Sequence, residues 1–125
     1  MTENEIAKVV FDVSLEMHRN YGPGLFESVY EEILFYELVQ KGIFVERQKP
    51  IPVFHKEIKM EIGFRSDLIV EKKVIVEIKS VEELGRVHYK QVITYLKLTD
   101  CKLGLLINFN VDLLKDGFHR VVNKL

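Results

Sequence analysis

Two apolar, β-branched runs constrain this chain more than any other feature: Phe64-Arg65-Ser66-Asp67-Leu68-Ile69-Val70 and Val74-Ile75-Val76-Glu77-Ile78-Lys79, with only Glu71-Lys72-Lys73 between them. Runs of this kind read as buried strands, and the polar break reads as a hairpin loop. If Val70 pairs with Val74, the register sets Asp67 opposite Glu77. Strand side chains alternate faces, so Lys79 joins Glu77 while Ile78 points away. Arg65 would then lie opposite Lys79, on the face that carries the acids. Ionisable groups inside such strands need partners or a metal, because an unpaired buried charge is costly.

The residue types suit one kind of chemistry. Magnesium prefers oxygen ligands, keeps several waters and takes one or two carboxylates from a protein. Asp67 and Glu77 can supply these, with the backbone carbonyl of Ile78 as a third oxygen. An ion held there lowers the pKa of bound water and stabilises charge on a phosphate oxygen. Lys79 can orient that water or neutralise the developing charge. The plainer alternative is a cross-strand ion pair of Lys79 with Glu77 or Asp67 on a half-exposed sheet.

The flanking sequence predicts an α/β sandwich with helices before and after a mixed sheet. Thr2-Glu3-Asn4-Glu5 has the form of a capping box, and Ile6, Val9, Val10, Val13 and Met17 follow at helical spacing to about Asn20. Tyr21-Gly22-Pro23-Gly24 is a strong turn. A second helix is expected over Leu25–Lys41, ending at Gly42. Strands are expected at Phe44–Gln48, Ile51–His55, Lys59–Phe64, Asp67–Val70 and Val74–Lys79, some of them as parts of one strand broken by turns. A helix over Glu83–Leu98, a strand at Leu103–Asn108, a helical turn near Val111–Leu114 and a strand at Phe118–Val122 complete the expectation. Phe11, Phe26, Phe35 and Phe44 read as core. With 125 residues and no linker or repeat, a single domain spanning 1–125 is expected.

Composition excludes several classes. A hydrophobic fraction of 47% argues against disorder, and a single cysteine, Cys101, rules out an intrachain disulfide or a cysteine-based zinc cluster. No apolar run reaches membrane-spanning length and the N-terminus is not signal-like, so a cytoplasmic location without membrane association is expected. Eighteen Lys and Arg against nineteen Asp and Glu give a net charge of −1, which supplies no global basic field.

The ordered motifs resemble a known group. Asp67 followed by Glu77-Ile78-Lys79 on a β-hairpin is similar to the core motif of the PD-(D/E)xK nuclease superfamily. Gly24-Leu25-Phe26-Glu27-Ser28-Val29-Tyr30 resembles the signature of its GxxExxY branch. Arg65-Ser66-Asp67, His88-Tyr89-Lys90-Gln91, Tyr95-Leu96-Lys97 and Asn108-Phe109 follow in order, so the likeness spans about Ile6 to Val122. Two positions depart from the pattern: Ser66 stands where the superfamily name has proline, and Asn110 replaces the usual glycine.

The resemblance implies a restriction-endonuclease-like core and Mg²⁺- or Mn²⁺-dependent phosphodiester hydrolysis, with DNA as the expected nucleic acid. Asp67 and Glu77 would hold metal, and Lys79 would assist the water. Glu27, near the start of the second helix, would be a third acid in the pocket. Tyr30, one turn on, would orient Glu27 by a hydrogen bond, and Gly24 would support the turn. On the third helix His88, Gln91 and Tyr95 share a face. Their spacing resembles an auxiliary motif of RecB-like exonucleases that positions the nucleic-acid backbone. Arg65 is a further phosphate candidate, with an ion pair to Glu77 or Glu27 as its alternative. Two other readings stay open. One is an accessory nucleic-acid-binding subunit that keeps the fold but cleaves poorly, with a second copy of the chain or a protein partner supplying basic surface. The other is a structural or regulatory protein whose charged hairpin is a salt-bridge cluster.

Overall fold

A computed structural model describes residues 1–60 and 63–125. The first helix, α1 (Glu3–Tyr21), begins at the expected reciprocal cap: the Thr2 hydroxyl accepts the Glu5 N–H and the Glu5 carboxylate accepts the Thr2 N–H. Its stripe of Ile6, Val10, Val13 and Met17 is buried. The second helix, α2 (Glu27–Gln40), starts two residues later than the sequence suggests. Gly22 (φ 65°) and Gly24 (φ 112°) keep the intervening turn in conformations that side chains resist, and Phe26 is still extended.

Among the described residues seven strands follow: β1 (Val45–Ile51), β2 (Phe54–His55), β3 (Ile58–Lys59), β4 (Phe64–Val70), β5 (Val74–Lys79), β6 (Leu103–Asn108) and β7 (Phe118–Val122). A third helix, α3 (Arg86–Thr99), joins β5 to β6, and a 3-10 turn (Leu114–Asp116) precedes β7. The main sheet has the order β1-β4-β5-β6-β7, and only β5 and β6 run parallel. A parallel pair needs a long crossover, and α3 supplies it.

Strand alternation divides the core between the two faces. Val70, Val76 and Leu105 face α1 and α2, whereas Ile69, Ile75 and Leu106 face α3. Gly104 lets α3 lie close on β6, since a Cβ there would collide with Val92. Among the described residues no helix is long and apolar enough to cross a membrane.

The sequence expectations need several corrections. β1 runs straight through Pro50, which an edge strand tolerates because the missing N–H faces outward. In place of strands at Ile51–His55 and Lys59–Phe64 there is the short β2–β3 hairpin, turning at Lys56 and Glu57; Glu61 and Ile62 lie outside the described residues. α3 starts at Arg86 rather than Glu83, after the Gly85 cap. The helical turn sits at Leu114–Asp116, not Val111–Leu114. Phe11 and Phe35 pack against the core, but Phe26 is 80% exposed and Phe44 50%. Phe44 instead lies under the Lys72 ammonium, 5.6 Å from its ring centre.

Candidate active site

β4 and β5 pair only near their loop, at Leu68–Val76, Ile69–Ile75 and Val70–Val74. Beyond that point β4 continues along β1 to Phe64, and β5 continues along β6 to Lys79. The strands therefore part in mid-sheet, which would leave inward-facing amides without partners. Two carboxylates take them. Asp67 Oδ2 accepts the Ile78 N–H at 2.8 Å, and Glu77 Oε1 accepts the Asp67 N–H at 3.2 Å. The register extends to set Asp67 opposite Glu77, but side chains complete the ladder there. The Lys79 carbonyl accepts the Phe109 N–H on the β6 side. By alternation the Ile78 carbonyl faces the gap toward β4.

The pair is electrostatically loaded. Burial, then the neighbouring Asp67 charge, pushes the Glu77 carboxyl up to about 9, and Glu77 is 4% exposed. Burial also raises the Asp67 carboxyl; the Ile78 amide works against this, and the charge of Glu31 adds to it. Lys79 is half-buried and its charge lowers both carboxyls. The plain cross-strand ion pair is nevertheless not formed: among the described residues the ion pairs are Lys8–Asp12, Arg47–Glu31 and Lys49–Glu46. A buried carboxylate, Glu77, beside a half-buried one, Asp67, with a backbone carbonyl next to them, suits a hard divalent cation that keeps part of its water shell. Among the described residues, no three His, Cys, Asp or Glu side chains gather to hold such an ion by themselves.

Glu27 does not join that pair into a three-acid group. Its Oε2 accepts the Ser80 N–H at 3.0 Å, just past the end of β5, in an adjoining cleft lined by Gly24, Phe26, Ser28 and Asn110. The Tyr30 hydroxyl does not reach Glu27 either. It donates to the Gly22 carbonyl at 2.6 Å and accepts the Leu25 N–H at 3.2 Å, while its ring stacks on Phe109 at 4.3 Å. Tyr30 thus pins the glycine turn that leads into α2.

The face of α3 divides by depth. Tyr95 is buried, its ring edge-on to Phe64, and its hydroxyl is raised to about 12 by burial and then by Glu77 and Asp67, with the Gln91 side chain acting the other way. That places Tyr95 beside the carboxylates, with half-buried Gln91 next to it. His88 is spent locally: its Nδ1 accepts the Gly85 N–H at 3.0 Å, capping α3. Arg65 is exposed, and because β4 has left β5 it lies across from Pro50 instead of Lys79.

Sequence reasoning gave no role to Glu31, Arg47, Gln48 or Asn108. Glu31, on α2 and 5% exposed, is the acid whose charge reaches Asp67. Arg47 Nε and Gln48 Nε2 each hold it at 2.7 Å. Buried Asn108 clamps the segment after β5, accepting the Val81 N–H at 3.1 Å and donating to the Val81 carbonyl at 2.9 Å. Asn108 stood in the Asn108-Phe109 motif, at the polar end of the apolar run Leu103–Ile107, but nothing in the sequence assigned it a partner. Nothing local marks Glu31 or Gln48, whose contacts join α2 to β1.

No curated protein and no solved structure matches the chain. The sequence profile of the PD-(D/E)XK nuclease superfamily does, over residues 4–121. The mixed five-stranded sheet between helices agrees with that fold. With Asp67, Glu77 and Lys79 all inside the matched region, the chain belongs to the PD-(D/E)XK nuclease superfamily.

Proposed function

We propose that the protein hydrolyses phosphodiester bonds in nucleic acid, most plausibly DNA, with Mg²⁺ or Mn²⁺, and that it falls in the GxxExxY branch marked by Gly24, Glu27 and Tyr30. The observation that carries this reading is the pair of carboxylates where β4 and β5 part, Glu77 buried and Asp67 half-buried, with Lys79 beside them and in no ion pair among the described residues. Like charges this close need a proton or a cation between them. Asp67, Glu77 and the Ile78 carbonyl would hold the ion, which when bound lowers the pKa of water and offsets phosphate charge. Water oxygen adds to phosphorus, the bond to one sugar oxygen breaks, and that oxygen leaves with a proton.

The chain's own residues do the rest. The Lys79 ammonium neutralises negative charge building on the phosphate. Tyr95, held protonated, offers a neutral hydroxyl beside the acids, steadied by Gln91. Glu27 fixes Ser80, and Asn108 fixes Val81, so the end of β5 that bears Lys79 is held from both sides.

The net charge of −1 favours a second reading, in which the domain is an accessory subunit that cleaves poorly and relies on another chain to grip nucleic acid. Labelled single- and double-stranded DNA incubated with Mg²⁺, Mn²⁺ or EDTA separates the two. Wild type should cut only with metal, and Glu77→Ala and Lys79→Ala should not cut. DNA binding without cutting in either metal would select the accessory reading.

A further inference from the structure

Gln48 has no place in the mechanism above, yet its backbone is unusual. Its neighbours pair as Arg47–Leu68 and Lys49–Ser66, so it falls opposite Asp67. Its φ is 51°, a left-handed conformation that residues with a Cβ resist. The other described non-glycine residues with positive φ are Lys56, Glu71, Lys72, Asp100 and Lys124, which lie in hairpin turns, after α3 or at the C-terminus. Gln48 alone among them sits inside a strand.

The twist has a visible consequence. It brings Nε2 to 2.7 Å from Glu31 Oε1 and 3.4 Å from Asp67 Oδ1. An amide nitrogen carries two hydrogens, so one donor can serve both carboxylates. The second oxygen of Glu31 is held by Arg47, and the second oxygen of Asp67 by the Ile78 amide. Every carboxylate oxygen in this chain of contacts therefore has a donor, and Gln48 is the link between the two acids. Strain held in place by specific contacts beside a site is a mark of function.

We infer that Gln48 is a positioning residue, which orients Asp67 to receive a divalent cation and screens it from Glu31. The inference rests on the metal-site reading, and its test reads cation affinity and melting rather than cleavage. Gly and Asn both tolerate positive φ; Gly has no side chain, and Asn carries the same amide on a stem one carbon shorter.

Mn²⁺ affinity and the metal-free melting temperature would be measured for wild type, Gln48→Gly, Gln48→Asn, Asp67→Asn, and Gln48→Gly combined with Asp67→Asn. Both Gln48 single variants should remain folded, as a cooperative metal-free melt would show, yet bind Mn²⁺ about tenfold more weakly, the usual effect of losing a group that orients a ligand. With Asp67→Asn already present, Gln48→Gly should change affinity by less than about twofold, as expected when two residues act through one contact. Unchanged affinity in both Gln48 single variants would overturn the role of Gln48 and leave the metal site standing. So would an equal loss with and without Asp67. Absence of Mn²⁺ binding by the wild type would bring down both the site and the role.

Discussion

The two ends of the β4–β5 pair are made from the same strands and do opposite things. At the loop end Leu68, Val70, Val74 and Val76 are fully buried, and backbone amides bond to backbone carbonyls. At the other end the strands part, and Asp67 and Glu77 take the places that carbonyls would hold. The closed end gains stability from apolar burial. The open end gives some of it up, holding two carboxylates where water is scarce. The contrast shows how a sheet can open a gap without a loop: each strand stays paired on its outer side.

The largest test of the contrast breaks the closed end. Leu68→Ala should cost about 2–5 kcal/mol, the range for a large buried side chain cut back to Ala, and denaturant titration would read it. Next, Lys79→Ala at the open end should lower any metal-dependent cleavage rate by about 10²–10³-fold, as for loss of one charge-stabilising group, with melting unchanged.

Glu77→Gln should sharpen the comparison with the opposite sign. It keeps an acceptor for the Asp67 amide but removes the crowded carboxyl. The metal-free variant should gain stability at neutral pH on the order of 1 kcal/mol, the worth of about one pKa unit. The pH profile gives a second reading of the same pair. Because the Glu77 carboxyl is raised from 4.5 to about 9, the folded protein keeps a proton that the unfolded chain releases. The stability tied to that proton is fully present below 4.5 and is lost as pH rises through about 9. Melting temperatures in EDTA should therefore fall across that window in wild type and flatten in Glu77→Gln. A rising wild-type profile would show that the pair is not crowded.

The smallest effect is expected at Glu27. Glu27→Gln retains an acceptor for Ser80 and alters only a charge in the first turn of α2, a change of about 0.3–1 kcal/mol. Calorimetry should find Mn²⁺ affinity unchanged, which would keep Glu27 outside the open end. A large loss would draw it in.

Periodic features were the legible ones. α1 with its cap, the buried strands β5 and β6 and the register that opposes Asp67 to Glu77 all rest on local chemistry: a capping pair, an apolar run or alternation across a short loop. Legibility fell where a distant partner decides the outcome. The strand was expected to end at Gln48, before Pro50, because sequence does not tell an edge strand from a central one. Phe26 and Phe44 looked like core, since aromatic character does not say which side of a turn faces solvent. Tyr30 looked like a partner for Glu27 from helical spacing, but the glycine turn folds back to claim its hydroxyl.

Sequence alone determined the chemical inventory of the site: two acids and a lysine on adjoining strands, at spacings that any hairpin of this length would bring together. Only the tertiary structure decided what surrounds them. Where β4 leaves β5 depends on β1 and β6 competing for the outer edges of those strands, which no local pattern encodes. The meeting of Glu31, Arg47 and Gln48 beside Asp67 depends on how α2 packs against the sheet. Hydrophobic burial sets that packing and is nearly indifferent to direction, so the polar contacts it creates become visible only once the chain has folded.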